Sequence, residues 1–170
     1  MSETTVGAGA PSARPLSVLW FTVLSEPLLV GVALALMVSM THFEAVSPLF
    51  SKEILWGAAL AAMAVMLLAG RFIRNFVMAP ERLARRPLQG SKAKLSESGA
   101  LAAAKVHVGM FVTLGMLDAV SVAIIAACFM HADADLALLN GVYTLVLAVV
   151  TKPDFGVALR ETETALRRQG

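Results

Sequence analysis

Charge is what this sequence has least of. Only 15% of its 170 residues are Asp, Glu, Lys or Arg, against about 25% in an ordinary soluble domain. There is one cysteine and one tyrosine. A lone Cys128 excludes an internal disulfide, and its place inside an apolar run reads as small buried filler. No basic stretch interleaved with aromatic residues is present, which excludes the usual nucleic-acid footprint. No nucleophile–base pairing, phosphate-cradling glycine loop or haem motif is present, so neither an enzyme nor a cofactor is expected. What fills the space is hydrocarbon: 58% of residues are hydrophobic and the mean hydropathy is +0.75.

The apolar residues fall in blocks long enough to span a bilayer, which takes ~20 residues. They predict an all-α, polytopic membrane protein with four transmembrane helices at about 16–40, 54–78, 100–130 and 136–151, arranged as two hairpins. Residues 1–15 read as a disordered tail. The apolar run after them is longer than the ~7–15 residues of a signal-peptide core. Pro27 predicts a kink in the first helix. Residues 79–99 form a basic connector punctuated by Pro80, Pro87 and Gly90, with Lys105 beyond it placed to reach the head groups. Residues 152–170 form a tail in which Phe155, Leu159 and Leu166 recur at helical spacing, the pattern of a short surface helix.

Of the fourteen Lys and Arg residues, thirteen fall on one side of this arrangement. The exception is Lys52. Positive charge stays on the cytoplasmic side of short loops. Both termini and the connector are therefore expected in the cytoplasm, with the protein in the cell (inner) membrane. The connector residues Arg82, Arg85, Arg86, Lys92 and Lys94 are candidate ligands for anionic lipid head groups.

Two carboxylates interrupt the apolar blocks. Asp118 lies in Met110-Phe-Val-Thr-Leu-Gly-Met-Leu-Asp-Ala-Val120, and Glu26 in Ser25-Glu-Pro-Leu-Leu-Val-Gly31. A charged side chain at mid-bilayer costs at least ~2.5–3.5 kcal/mol, so an acid there is a functional hypothesis by default. Low dielectric also favours the neutral form of a carboxyl group, which makes proton exchange one possible use. The competing use is interhelical hydrogen bonding, for which Thr22, Gly115 and Ser121 offer local partners or space. A faint internal repeat accompanies the two acids: each sits in an outward-running helix, each helix is followed by a His-x-acid turn (His42-Phe-Glu44, His131-Ala-Asp133), and each following helix by a segment containing Arg-Arg. Those turns also hold the candidate metal ligands His42, Glu44, His131 and Asp133. The alternative there is helix capping, with Asp133 or Asp135 capping the fourth helix; no metal is expected.

The segment carrying Gly115, Asp118 and Ala119 resembles the carboxylate helix of the proteolipid (c) subunits of rotary ATP synthases, in which Gly-x-x-Asp/Glu-Ala carries the proton-binding acid. The resemblance extends to a preceding inward helix and a basic loop with Arg85-Arg86-Pro87 and Gln89, and the Ser25–Gly31 segment looks like a second copy. It implies proton or cation translocation through Glu26 and Asp118. The residues themselves point first to a structural or accessory subunit of a membrane complex, whose partners are the lipid bilayer and other membrane subunits or further copies of itself.

Overall fold

In hydrocarbon a backbone amide finds no water, so a long apolar run has one open-chain solution, the α-helix. The structure, a computed structural model, describes residues 13–41, 43–46, 50–87 and 98–168. Over these residues it is all-helical: α1 (Ala13–Thr41), α2 (Lys52–Val77), α3 (Pro80–Arg85), α4 (Ser98–His131), α5 (Ala134–Thr151) and α6 (Phe155–Arg167). Helices α1, α2, α4 and α5 are long and apolar enough to cross a bilayer. The chain is a multi-pass membrane protein with four candidate spans, and its outward-facing Leu29, Val65, Leu68, Phe72 and Val149 present apolar surface to lipid. Residues 1–12, on which most of the expected disordered tail falls, lie outside the described residues, as do His42, Lys92 and Lys94.

Each span overruns its expected start by two or three residues. α1 begins at Ala13 and runs through Pro27 without interruption, with Pro27 buried. α2 begins after Ser51, whose hydroxyl accepts from the Ile54 amide. The expected connector is partly helical, because Pro80 opens α3 as a first-turn proline. Lys105 does not reach outward. It is buried, and its Nζ donates to the carbonyls of Ala84 at 2.8 Å and Arg86 at 2.6 Å, satisfying the end of α3. The C-terminal segment is α6, capped by Asp154, which accepts from the Val157 amide at 3.0 Å. Its apolar face buries Phe155, Ala158 and Leu159 against the end of the bundle.

The core is organised on α5, which packs most extensively on α1 and also contacts α2 and α4. α1 and α5 run antiparallel and come to backbone contact at two glycines. A Cβ on Gly31 would stand 2.7 Å from the Ala137 carbonyl oxygen, and one on Gly141 would run into Leu28 Cα. Further along the same seam, the Trp20 indole donates to the Ala148 carbonyl at 3.0 Å and meets Phe155 edge-on at 6.1 Å, joining α1, α5 and α6. The internal repeat predicts two similar hairpins, but the halves pack differently. α4 and α5 contact each other directly, whereas α1 packs chiefly on α5, and α2 on α4 and α5. The two glycine contacts draw α1 onto α5 and account for the difference.

The tight α4–α5 turn ends α4 with two paired bonds, Ala132 N to Phe129 O at 3.4 Å and Asp133 N to Cys128 O at 3.0 Å. This is a Schellman motif, and the residue it holds in the left-handed region is Ala132, at φ 51°. Cys128 is free and fully buried.

Candidate intramembrane carboxylate site

Helix register brings the two acids together. Stepping along α1 and α5 from the Gly31–Ala137 and Trp20–Ala148 contacts places Glu26 level with Tyr143. Stepping along α4 and α5 from the Ser121–Asn140 bond places Asp118 level with the same tyrosine. Glu26 and Tyr143 both lie within electrostatic reach of Asp118. Measured along the helices, the acids are also matched in depth: each lies roughly 20 Å from the turn end of its helix.

Their exposures differ. Glu26 is exposed on the outer surface of α1, and Asp118 is half-buried between helices. Behind Asp118 the packing is polar. Asn140 is fully buried and donates through Nδ2 to Ser121 Oγ at 2.8 Å and to the Ser121 carbonyl at 3.3 Å. Thr144 Oγ1 donates to the Gly141 carbonyl at 2.9 Å. In front of Asp118 lies Gly115, where an added Cβ would find open space.

Three buried polar atoms here have no partner among the described residues: Asp118 Oδ1, Tyr143 Oη and Asn140 Oδ1. An unpaired buried polar group forfeits roughly 1–3 kcal/mol. Among the described residues no cation pairs with the carboxylates: the nearest basic residues on their own helices, Arg14 and Lys105, are about 18–20 Å away along the axis, and on α2 Arg71 bonds instead to the Val150 carbonyl. The arrangement therefore gathers two carboxylates, a phenol and an amide oxygen at about one depth of the bundle, with Glu26 and Gly115 exposed on its outer surface. Its chemistry suits a hydrogen-bond donor or a cation entering from the side. The sequence reading names Glu26 and Asp118; Tyr143 joins them only in the folded chain. The three-residue spacing of Asn140 and Tyr143 was the available signal, and it marks one face of α5.

The candidate metal ligands are not gathered. Among the described residues no three His, Cys, Asp or Glu side chains form a group. Glu44 is exposed, His131 is half-buried, and His42 lies outside the described residues. Asp133 is committed elsewhere. Its Oδ2 accepts from the Trp56 indole at 2.8 Å and meets Lys52 Nζ at 3.2 Å, and its Oδ1 accepts from the Leu136 amide at 3.0 Å, capping α5. Burial works to raise the Asp133 carboxyl, but the Trp56 and Leu136 bonds and the Lys52 ammonium together hold it below the usual aspartate range. His107 is exposed, with its ring 4.9 Å from that of Phe111.

Of the candidate head-group ligands, Arg82 and Arg85 are exposed on α3. Arg86 is half-buried, and its Nη1 has no partner among the described residues.

No protein-family model matches the chain, and no curated protein or solved structure matches it either. The likeness to proteolipid subunits accordingly rests on the Gly115–Ala119 segment and its surroundings alone.

Proposed function

We propose that this protein is an accessory subunit of a membrane complex, held to a different polypeptide by a cationic side chain that reaches Glu26 and Asp118. The observation that carries this reading is the unpartnered Asp118 Oδ1, level with Tyr143 and Glu26, with no basic residue at that depth among the described residues. An acid on the lipid side of a helix is costly without a counter-charge. Another copy of this chain has no basic side chain among its described residues to offer at that depth, so the counter-charge comes from an unlike helix carrying Arg, Lys or His. In the same reading the basic end of the bundle, with both termini and the connector, faces the cytoplasm of a cell (inner) membrane.

Purification from native membranes in mild detergent tests the proposal. The wild-type chain is expected in species larger than the monomer with an unlike polypeptide. Glu26→Gln with Asp118→Asn is expected to reduce recovery of that polypeptide at least tenfold while the variant accumulates normally. A strictly monomeric wild-type particle with no companion would contradict it.

A second reading is supported by the open space at Gly115 and the exposure of Glu26. In it the pair binds and releases a proton or small cation, as the proteolipid resemblance implies. The family's glycine-rich inner helix is not matched, since α2 has only Gly57 and Gly70, and this favours the accessory role. Asp118→Asn separates the two readings: translocation predicts that the complex survives while proton-coupled activity is lost.

A further inference from the structure

At the basic end of the bundle, α3 and α6 enclose a cleft of about 420 Å³. Arg82, Arg160 and Arg168 line it, together with Glu81, Glu161 and Thr164. Three arginines against two glutamates leave one positive charge in excess. Two further contacts fix where this cleft sits. The Arg82 guanidinium lies 3.4 Å above the centre of the Phe76 ring, and Phe76 stacks with Phe72 at 6.1 Å. Both phenylalanines are exposed on the last turns of the apolar α2. They interleave with Arg71 and Arg74 at the basic end of a candidate span, so the guanidinium resting on them is placed at head-group depth, with the apolar α2 running away beneath it.

We propose that this cleft is a binding site for one anionic phospholipid whose head group joins a singly charged phosphodiester to free hydroxyls. The arginines recognise the phosphate oxygens, for which a planar guanidinium is better suited than an ammonium. Glu81 and Glu161 accept hydrogen bonds from the head-group hydroxyls, and Phe72 and Phe76 receive the first acyl carbons. One phosphodiester balances the single excess charge. A zwitterionic amine head group leaves that charge unbalanced, and a phosphomonoester brings excess negative charge against the two carboxylates. The site extends the head-group role expected of the connector to α6, whose Arg160 and Arg168 only the folded chain places opposite Arg82. It is independent of the intramembrane docking proposal.

The test follows the thermal unfolding midpoint of the full-length protein in mild detergent as phosphatidylglycerol, phosphatidylcholine, phosphatidylethanolamine, phosphatidic acid or inorganic phosphate is added. Phosphatidylglycerol is expected to raise the midpoint, with the others giving little change. Each of Arg82→Gln, Arg160→Gln and Arg168→Gln is expected to weaken the apparent affinity roughly fivefold. Arg167→Gln, which removes a cation paired with Glu163 at 2.7 Å outside the cleft, is expected to leave it unchanged. All four positions are exposed, so the variants should fold, and their unliganded midpoints check this. An equal response to phosphatidylcholine or phosphatidylethanolamine, or an unaltered response in the triple variant, would overturn the site. An equal response to phosphatidic acid would overturn the hydroxyl recognition. A full response to inorganic phosphate alone would show a free-phosphate site in place of a lipid one.

Discussion

Asp133 shows how much one side chain can hold when it sits where two turns meet. Its carboxylate receives an indole, a helix-capping amide and an ammonium while almost wholly buried. Asp133→Ala leaves the Trp56 and Leu136 donors without a partner and is expected to cost about 2–3 kcal/mol of stability. Asp133→Asn keeps the capping oxygen, but its NH2 takes the place of Oδ2 and can neither accept from the Trp56 indole nor pair with Lys52, so it is expected to cost about 1–3 kcal/mol. A depressed carboxyl stabilises the fold above the ordinary aspartate value of ~3.9, and that contribution is lost as pH falls through the lower, folded value. Thermal melts from pH 6 downward should therefore show wild type and Asp133→Asn converging below about pH 4. Capping of the fourth helix by an aspartate was legible in the sequence, because an acid just before an apolar run is a helix-start signal. The Trp56 bond was not, since nothing in the pattern of α2 says which residue 77 positions away its indole will face. The same holds at the intramembrane site. An acid inside an apolar run announces itself, while the tyrosine that completes the cluster depends on cross-helix register.

At the scale of the helix, span lengths were legible because hydrocarbon thickness sets them. Packing partners were not, because they turn on single glycines. Gly57 and Gly141 look alike in sequence and differ completely in place. Gly57 has open space around it, whereas Gly141 lies against the backbone of Leu28. Gly141→Ala must push α1 off α5, at a cost of about 1–3 kcal/mol typical of overpacking. Gly57→Ala is expected to leave the unfolding midpoint unchanged or slightly raised, and detergent melts of the two variants compare them directly. The α4–α5 turn offers the opposite substitution. Ala132 holds a left-handed conformation that suits glycine, so Ala132→Gly is expected to stabilise the protein by up to about 1 kcal/mol in the same assay. The short connector helix and the inward turn of Lys105 also escaped the sequence reading. A basic segment with prolines reads as a loop, and a lysine near a helix start reads as a snorkelling side chain until a neighbouring helix presents carbonyls to it.

At the scale of the whole molecule, the asymmetry of basic residues predicts one orientation, with the connector end in the cytoplasm. The connector end collects α3, α6 and the arginines, and the turn end keeps Lys52, tied to Asp133. In a Cys128→Ala background, cysteines at Val46 and Arg85, both exposed, should label from opposite sides of the membrane, with Arg85 reached only from the cytoplasm. The account's central claim, that an unlike polypeptide brings a cation to Glu26 and Asp118, is tested most directly by a photo-crosslinking residue at Gly115. That position is open and one turn from Asp118. In native membranes the crosslinker should capture a different membrane polypeptide, and the captured peptide should carry a basic residue within its span. Adding Glu26→Gln and Asp118→Asn should abolish the adduct. Capture of lipid or of the chain itself alone, or an adduct that survives both substitutions, would contradict the claim.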